Sequence, residues 1–340
     1  MASVWKRHPR YTIFLVVLLL STCFILIPSA PYEPSFKHMA YDDTTLDVKQ
    51  RFALSGALYE KALMDRAALL KRFGPLPEDV ETFPDHDKPY TIWNFFPAAF
   101  NCPYEVRHLG TLADGGKWSL VVWLTCTALT GITLVSLIIP FILRLIPIGI
   151  SGDSTFEAEL LQNTKHCKLW GYDFSVQGFT SDIPESEKWR TNFHAHGLAG
   201  KDRPATTNDP AMYSLQSLMS MNGHDHIDLL KIDIEGWEFE TLEEIIKSYS
   251  LSGEPLPFAQ LQLEIHVWDM PFAPFLNWWE MLEAAGLRPF WTEPNLVYVD
   301  YAKATPSLTE YSFINIKGDN VLTRPARPGR LPPPRHPHGP

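Results

Sequence analysis

The apolar positions of this chain form two kinds of run. Two runs are continuous and charge-free; the others are short or periodic. Tyr11 to Ala30 carries no charged residue and holds Ile13, Phe14, Leu15, Val16, Val17, Leu18, Leu19 and Leu20. A helix of that length rises about 30 Å, one hydrocarbon core. Lys6, Arg7 and Arg10 precede the run, and Glu33, Asp42 and Asp43 follow it. The positive-inside rule then predicts residues 1–10 as a cytosolic tail and 11–30 as a membrane anchor. A cleaved signal peptide is the rival, but the run is long for one, and Pro28 and Pro31 flank the candidate cleavage site. The second run, Ser119 to Leu143, is also uncharged, and Arg144 is the first charge after it. By length it reads as a second span.

Between the two runs, residues 31–88 read as a linker followed by an amphipathic helix from Leu46 to Phe73. Its predicted buried stripe is Val48, Phe52, Leu58, Ala62 and Leu69, and Gly74-Pro75 stops it. Residues 89–118 hold Trp93, Phe95, Phe96 and Phe100, which read as core. From Gly149 to Lys317 short apolar runs alternate with helical patterns, the mark of an α/β sheet. Strands are predicted at Lys168–Asp173, Asp228–Ile234, Ala259–Ile265, Leu287–Trp291, Val297–Tyr301 and Ser312–Lys317. Phe239, Leu242, Ile245 and Ile246 form one helical stripe; Phe275, Trp278, Trp279, Leu282 and Ala285 form another, with Gly286 as a C-cap. Residues 318–340 read as a disordered tail, since 323–340 carry seven prolines and four arginines.

Composition narrows the function. The 340 residues are 45% hydrophobic and 20% charged, which excludes disorder throughout. A net charge of -10 argues against a nucleic-acid partner. Four cysteines exclude a disulfide scaffold. Without Gly-X-Ser-X-Gly, a Walker A loop or Cys-X-X-Cys, hydrolase, P-loop and dithiol readings lack support.

The chemistry concentrates in four places. Gly149-Ile-Ser151-Gly152-Asp-Ser154 precedes a helix, and Asp173 ends the next strand, twenty-one residues beyond Gly152. A glycine turn, a helix N-terminus and a strand-end acid suit an adenosine-type cofactor, the acid accepting ribose hydroxyls. Asp233 and Glu235 end the apolar strand of Asp228-Leu-Leu-Lys-Ile-Asp-Ile-Glu-Gly-Trp-Glu238, where α/β sheets bind ligands. Glu264 and His266 share one side of a strand, and His266 is a candidate general base. His194 and His196 have no third ligand at metal spacing, so no metal site is expected.

In order and content these pieces resemble the FkbM-type S-adenosylmethionine-dependent methyltransferases, and more closely their membrane-anchored methyltransferase-like branch. The residues carrying the resemblance are Ile150–Glu157, Trp170–Phe174, Leu229–Glu238, Leu261–His266 and Glu310–Asn315, with Cys102-Pro103 and Asp114–Trp118 upstream. The resemblance implies a Rossmann-like methyltransferase sheet with helices on both faces, following an N-terminal transmembrane helix. It implies S-adenosylmethionine as cofactor and transfer of its methyl to an oxygen nucleophile. It assigns Gly149, Ser151, Gly152, Asp173 and Asp233 to the cofactor, and Glu235 and His266 to catalysis. The acceptor would be a sugar, a lipid or a protein. A NAD-dependent dehydrogenase, or a non-catalytic membrane-bound module with a degenerate methyltransferase fold, are the alternatives.

The sequence departs from the family between Trp118 and Gly149. Residues 119–148 do not resemble the expected first strand, and Pro147 sits where a central strand tolerates proline poorly. The stretch therefore reads as a second span or as a gene-model artefact such as a retained intron, with a methyltransferase domain at 149–317. A single span predicts a type II protein of the Golgi or endoplasmic reticulum with a lumenal domain. A C-terminal tag should then resist added protease in sealed microsomes; a digested tag would refute the single-span, type II picture.

Overall fold

The protein is described here by a computed structural model covering residues 47–85, 87–112, 115–120, 144–148, 152–164, 167–320 and 322–323. Among these described residues no helix is long and apolar enough to cross a membrane. The predicted anchor at 11–30, and residues 121–143 of the second run, lie outside them.

In chain order the elements are α1 (Val48–Phe73), β1 (Val106–Leu109), β2 (Lys117–Leu120), β3 (Arg144–Ile148), α2 (Thr155–Asn163), β4 (Lys168–Tyr172), β5 (Thr191–His194), β6 (Gly197–Leu198) and β7 (Met212–Tyr213). Then come α3 (Leu215–Met221), β8 (Ile227–Ile232), α4 (Glu238–Ser252), β9 (Phe258–His266), α5 (Phe272–Ala285), β10 (Leu287–Pro294), α6 (Leu296–Ala302) and β11 (Leu308–Asn315). Seven strands form one sheet in the order β10-β11-β9-β8-β3-β4-β5. β11 is antiparallel to both neighbours, and the remaining pairings are parallel. The order runs outward from β3 in one direction and from β8 in the other, so the sheet is doubly wound and reverses between those two strands. β8 and β9 are buried along their whole length, as central strands are.

The two described ends of 119–148 are strands. Ser119 and Leu120 belong to β2, where Leu120 is fully buried. Arg144–Ile148 is the first strand of the large sheet and sits at its centre, parallel to β4 and β8. Pro147 pairs in register with Lys231 of β8, while the register toward β4 passes over Ile146 and Pro147. A proline can occupy an inner strand where the neighbouring ladder is already interrupted, because no partner then waits for its missing N–H.

Two further expectations fail. Val297–Tyr301 lies in helix α6, not a strand. The Asn295 side chain accepts from the Tyr298 N–H at 2.9 Å and starts a helix that a five-residue apolar pattern cannot announce. In α1, Leu58 is exposed, and the buried positions are Ser55, Tyr59 and Arg66. The true stripe contains polar residues that are satisfied inside. Arg66 donates through Nε to the Phe95 carbonyl at 2.9 Å and through both other nitrogens to Glu283 of α5, at 2.9 and 2.7 Å. Tyr59 donates to the same carboxylate.

Two apolar clusters lie on the two faces of the sheet. One joins Leu230, Ile232, Leu261 and Leu263 to Leu242 of α4, to Phe275 and Trp279 of α5, and to Phe95 and Phe96. The other joins Leu169 and Leu229 to Phe156 and Leu160 of α2 and to Tyr59 and Phe100. Consecutive residues Leu229 and Leu230 therefore serve opposite faces, as strand alternation requires.

The Arg66–Glu283 pair is the polar fastener of α1 and is largely buried. Burial alone would raise the Glu283 carboxyl, but the hydrogen bonds and charge of Arg66 outweigh it and hold it below its usual range. Glu283→Gln leaves Arg66 buried without its counter-charge and should cost about 3–5 kcal/mol. A depressed carboxyl stabilises fully above its unfolded value and loses that contribution as pH falls through the folded one. Urea unfolding at several pH values should therefore show the gap between wild type and variant closing below about pH 4.3.

Candidate active site

A doubly wound sheet offers a crevice outside the carboxyl ends of the strands where its order reverses. Here that is the edge shared by β3 and β8. Gly149 and Ser151, expected at the cofactor, lie outside the described residues. Gly152 borders open space, for a Cβ built on it would meet nothing within 4 Å. Asp153 follows, and its Oδ1 accepts from the N–H and hydroxyl of Thr155 at 2.7 and 2.6 Å, closing the turn that leads into α2. On the first turn of α2, fully buried Glu157 meets Lys231 of β8 at 3.0 Å, which fastens the helix to the sheet. Asp173 follows β4 and is nearly buried. Its Oδ1 accepts from the N–H and hydroxyl of Ser175 at 2.7 and 2.6 Å, which orients the carboxylate.

The residues after β8 and β9 converge. Glu235 takes a left-handed backbone, φ +52°, as does Trp268, φ +39°, rare conformations for residues with a Cβ. Between them Gly236 has φ +89°, and a Cβ there would come within 2.7 Å of the Trp268 ring, so this position requires glycine. His266 ends β9 with 2% of its surface exposed. Its backbone N–H donates to Glu238 Oε1 at 2.7 Å, and its Nδ1 lies 3.2 Å from the same oxygen. Glu238 is itself fully buried and accepts from the Gly236 N–H at 2.8 Å. The imidazole is thereby fixed, with Nε2 directed at Glu235 Oε2, 3.4 Å away, and Asp233 Oδ1, 3.9 Å away. Burial alone would lower the His266 pKa, but the hydrogen bond and charge of Glu238, with Glu264 and Asp233, raise it to about 9. A free imidazole in this setting carries a proton at neutral pH, which suits a donor better than a base.

Sequence reasoning named Glu264 but missed the groups that meet it behind this edge. Lys117 of β2 pairs with Glu310 of β11, and register places Glu310 beside Glu264 of β9. Burial and then the Asp233 charge push the Glu264 carboxyl up to about 7, while Asn295 donates to it at 3.0 Å. Burial opposes the charge on Lys117, but Glu310, Glu264 and Asp233 together hold its ammonium well above the usual range. The available signal was the alternation Gln260, Gln262, Glu264, His266 in a strand that must be buried. His194 lies beside Asp173, whose N–H donates to its carbonyl at 3.3 Å; its ring stacks on Tyr172 at 5.5 Å, and the His194 and His196 imidazoles are 5.8 Å apart.

Residues 135–289 match the family model of the methyltransferase FkbM domain. This segment is an FkbM methyltransferase domain. The match begins inside the charge-free run and includes β3. No curated protein matches the chain. Among solved structures, the Methanococcus jannaschii fibrillarin pre-rRNA processing protein is similar at 12% identity and TM-score 0.32, over 62% of this chain and 83% of that one. The methyltransferase FkbM of Methylobacillus flagellatus KT is similar at 13% identity and TM-score 0.32, over 49% of this chain and 43% of that one. Aeropyrum pernix fibrillarin, in complex with natively bound S-adenosyl-L-methionine, is similar at 11% identity and TM-score 0.29, over 62% of this chain and 83% of that one.

Within the FkbM domain, the Glu157–Lys231 pair links the helix after the glycine turn to the strand that ends in Asp233. Lys231→Met leaves Glu157 buried without its cation and should destabilise by about 3–5 kcal/mol. The double variant Glu157→Gln, Lys231→Met should recover part of the loss in thermal unfolding, since the uncompensated charge is then gone.

Proposed function

We propose that this protein is an S-adenosylmethionine-dependent methyltransferase that acts on an oxygen nucleophile. The observation carrying this reading is an FkbM domain whose sheet reverses where Gly152, Asp173 and Asp233 stand at the ends of adjoining elements. These residues suit the cofactor. Open space at Gly152 admits a ligand close to the backbone. Asp173, oriented by Ser175, is the acceptor for ribose hydroxyls. Asp233, just beyond β8, is the residue for the cofactor's amino group.

When bound, S-adenosylmethionine supplies a methyl group on a positively charged sulfur. The chain's own task is to align acceptor and methyl donor and to manage the acceptor's proton. Alignment alone accounts for much of such a reaction's rate. Glu235, exposed beside the edge, and His266, fixed by Glu238, are the groups on the acceptor side.

The acceptor is a sugar, lipid or protein hydroxyl rather than nucleic acid, in keeping with the net charge of -10. The charge-free run Tyr11–Ala30, with cations before it, supports a membrane-anchored, type II enzyme of the endomembrane system, and a second span within 119–148 would reverse the domain's side.

Calorimetry with S-adenosylmethionine and with NAD tests the reading. Binding of the first and not the second is expected, and a folded chain that binds neither overturns it. Asp173→Ala should weaken S-adenosylmethionine roughly ten- to a hundred-fold, the loss of about 1.5–3 kcal/mol of charged hydrogen bonding. Unchanged affinity in that variant would remove Asp173 from the site.

A further inference from the structure

We infer that Asp233, Glu235 and His266 form a binding site for a divalent cation at the carboxyl edge of β8 and β9. One ligand atom from each lies within 4.8 Å of the others. From Nε2 of His266 the two oxygens are 3.4 and 3.9 Å away. Donors around one ion stand about 3.4 Å apart at a tetrahedral angle and about 3.1 Å apart at an octahedral one, so small side-chain adjustments close the site.

The imidazole supplies the second observation. The His266 side chain is 1% exposed, and its Nδ1 is taken by Glu238. Nε2, the other ring nitrogen, is aimed at both carboxylates. A buried histidine held at one nitrogen by a carboxylate and presenting the other to acidic side chains is the arrangement that orients imidazole toward a metal. Four carboxylates, Asp233, Glu235, Glu238 and Glu264, surround this point, and of the two lysines that face Asp233, Lys117 is paired with Glu310 and Lys231 with Glu157.

The donor set of two carboxylates and one imidazole suits Mn²⁺ and its first-row neighbours and lacks the sulfur that softer ions prefer. The Glu235 side chain is 75% exposed, so the ion is reached from solvent and keeps positions for further oxygen ligands. Resting on the methyltransferase reading, those positions would take a hydroxyl-bearing acceptor and acidify its hydroxyl. Sequence spacing hid the site because its ligands come from two different strand ends.

Mn²⁺ titration of the full chain, followed by loss of the free-ion electron paramagnetic resonance signal, tests this. One ion per chain is expected. Glu235→Gln, at an exposed position that does not endanger folding, should weaken binding at least ten-fold. Glu238→Gln should weaken it by about ten- to a hundred-fold, as loss of a ligand-orienting partner does. S-adenosylmethionine affinity is measured in parallel by calorimetry. A chain that binds S-adenosylmethionine but neither Mn²⁺ nor Zn²⁺ overturns the cation site and leaves the methyltransferase reading intact. Stoichiometric Mn²⁺ binding untouched by Glu235→Gln also overturns it. Mn²⁺ binding lost in that variant, in a chain that does not bind S-adenosylmethionine, upholds the cation site and overturns the methyltransferase reading.

Discussion

The polar face of β9 constrains much of this structure. Gln260, Gln262, Glu264 and His266 point to one side of a fully buried strand. Each needs a partner, because an unmet buried polar group costs about 1–3 kcal/mol. Gln260 accepts from the Leu120 N–H at 3.4 Å, and Gln262 donates to the Trp118 carbonyl at 3.1 Å. Glu264 takes a hydrogen bond from Asn295, and His266 takes Glu238. Strand β2, the cap of α6 and the start of α4 are thereby tied to one strand. The same pairings gather Asp233, Glu235 and His266 at the edge, so stability and chemistry share one set of groups.

The edge is also where the backbone is least relaxed. Glu235 and Trp268 both occupy the left-handed region, and each such residue costs of order 1–3 kcal/mol. Close packing of Gly236 on the Trp268 ring holds the two turns together. The turns place Glu235 over His266 and leave the Trp237 and Trp268 rings partly exposed beside it. Strain held by surrounding structure at a ligand-binding edge is the pattern expected of a site whose geometry matters.

Much of the α/β organisation was legible along the chain. Apolar runs located β4, β8 and β9, and helical stripes located α4 and α5, because those elements bury continuous or periodic apolar positions. The α1 stripe was misjudged because Ser55 and Arg66 are buried with partners far along the chain, and no hydropathy pattern shows that. α6 looked like a strand because five residues cannot separate the two periods. β3 was dismissed for Pro147, although the sheet accommodates it where the ladder toward β4 is interrupted.

The sequence by itself determined which residues carry chemistry: an acid at the end of β4, acids just beyond β8, and a histidine ending β9. Each follows from local order, since a strand's carboxyl end is known once the strand is. Tertiary structure alone decided how they meet. Glu238 reaches His266 across 28 residues, and Lys117 reaches Glu310 across 193. Local period reports only on neighbours within an element, whereas these contacts depend on strand order and register. A strand of ordinary appearance, β2, thus becomes the cover of the polar face, and three residues from two strand ends come to share one point.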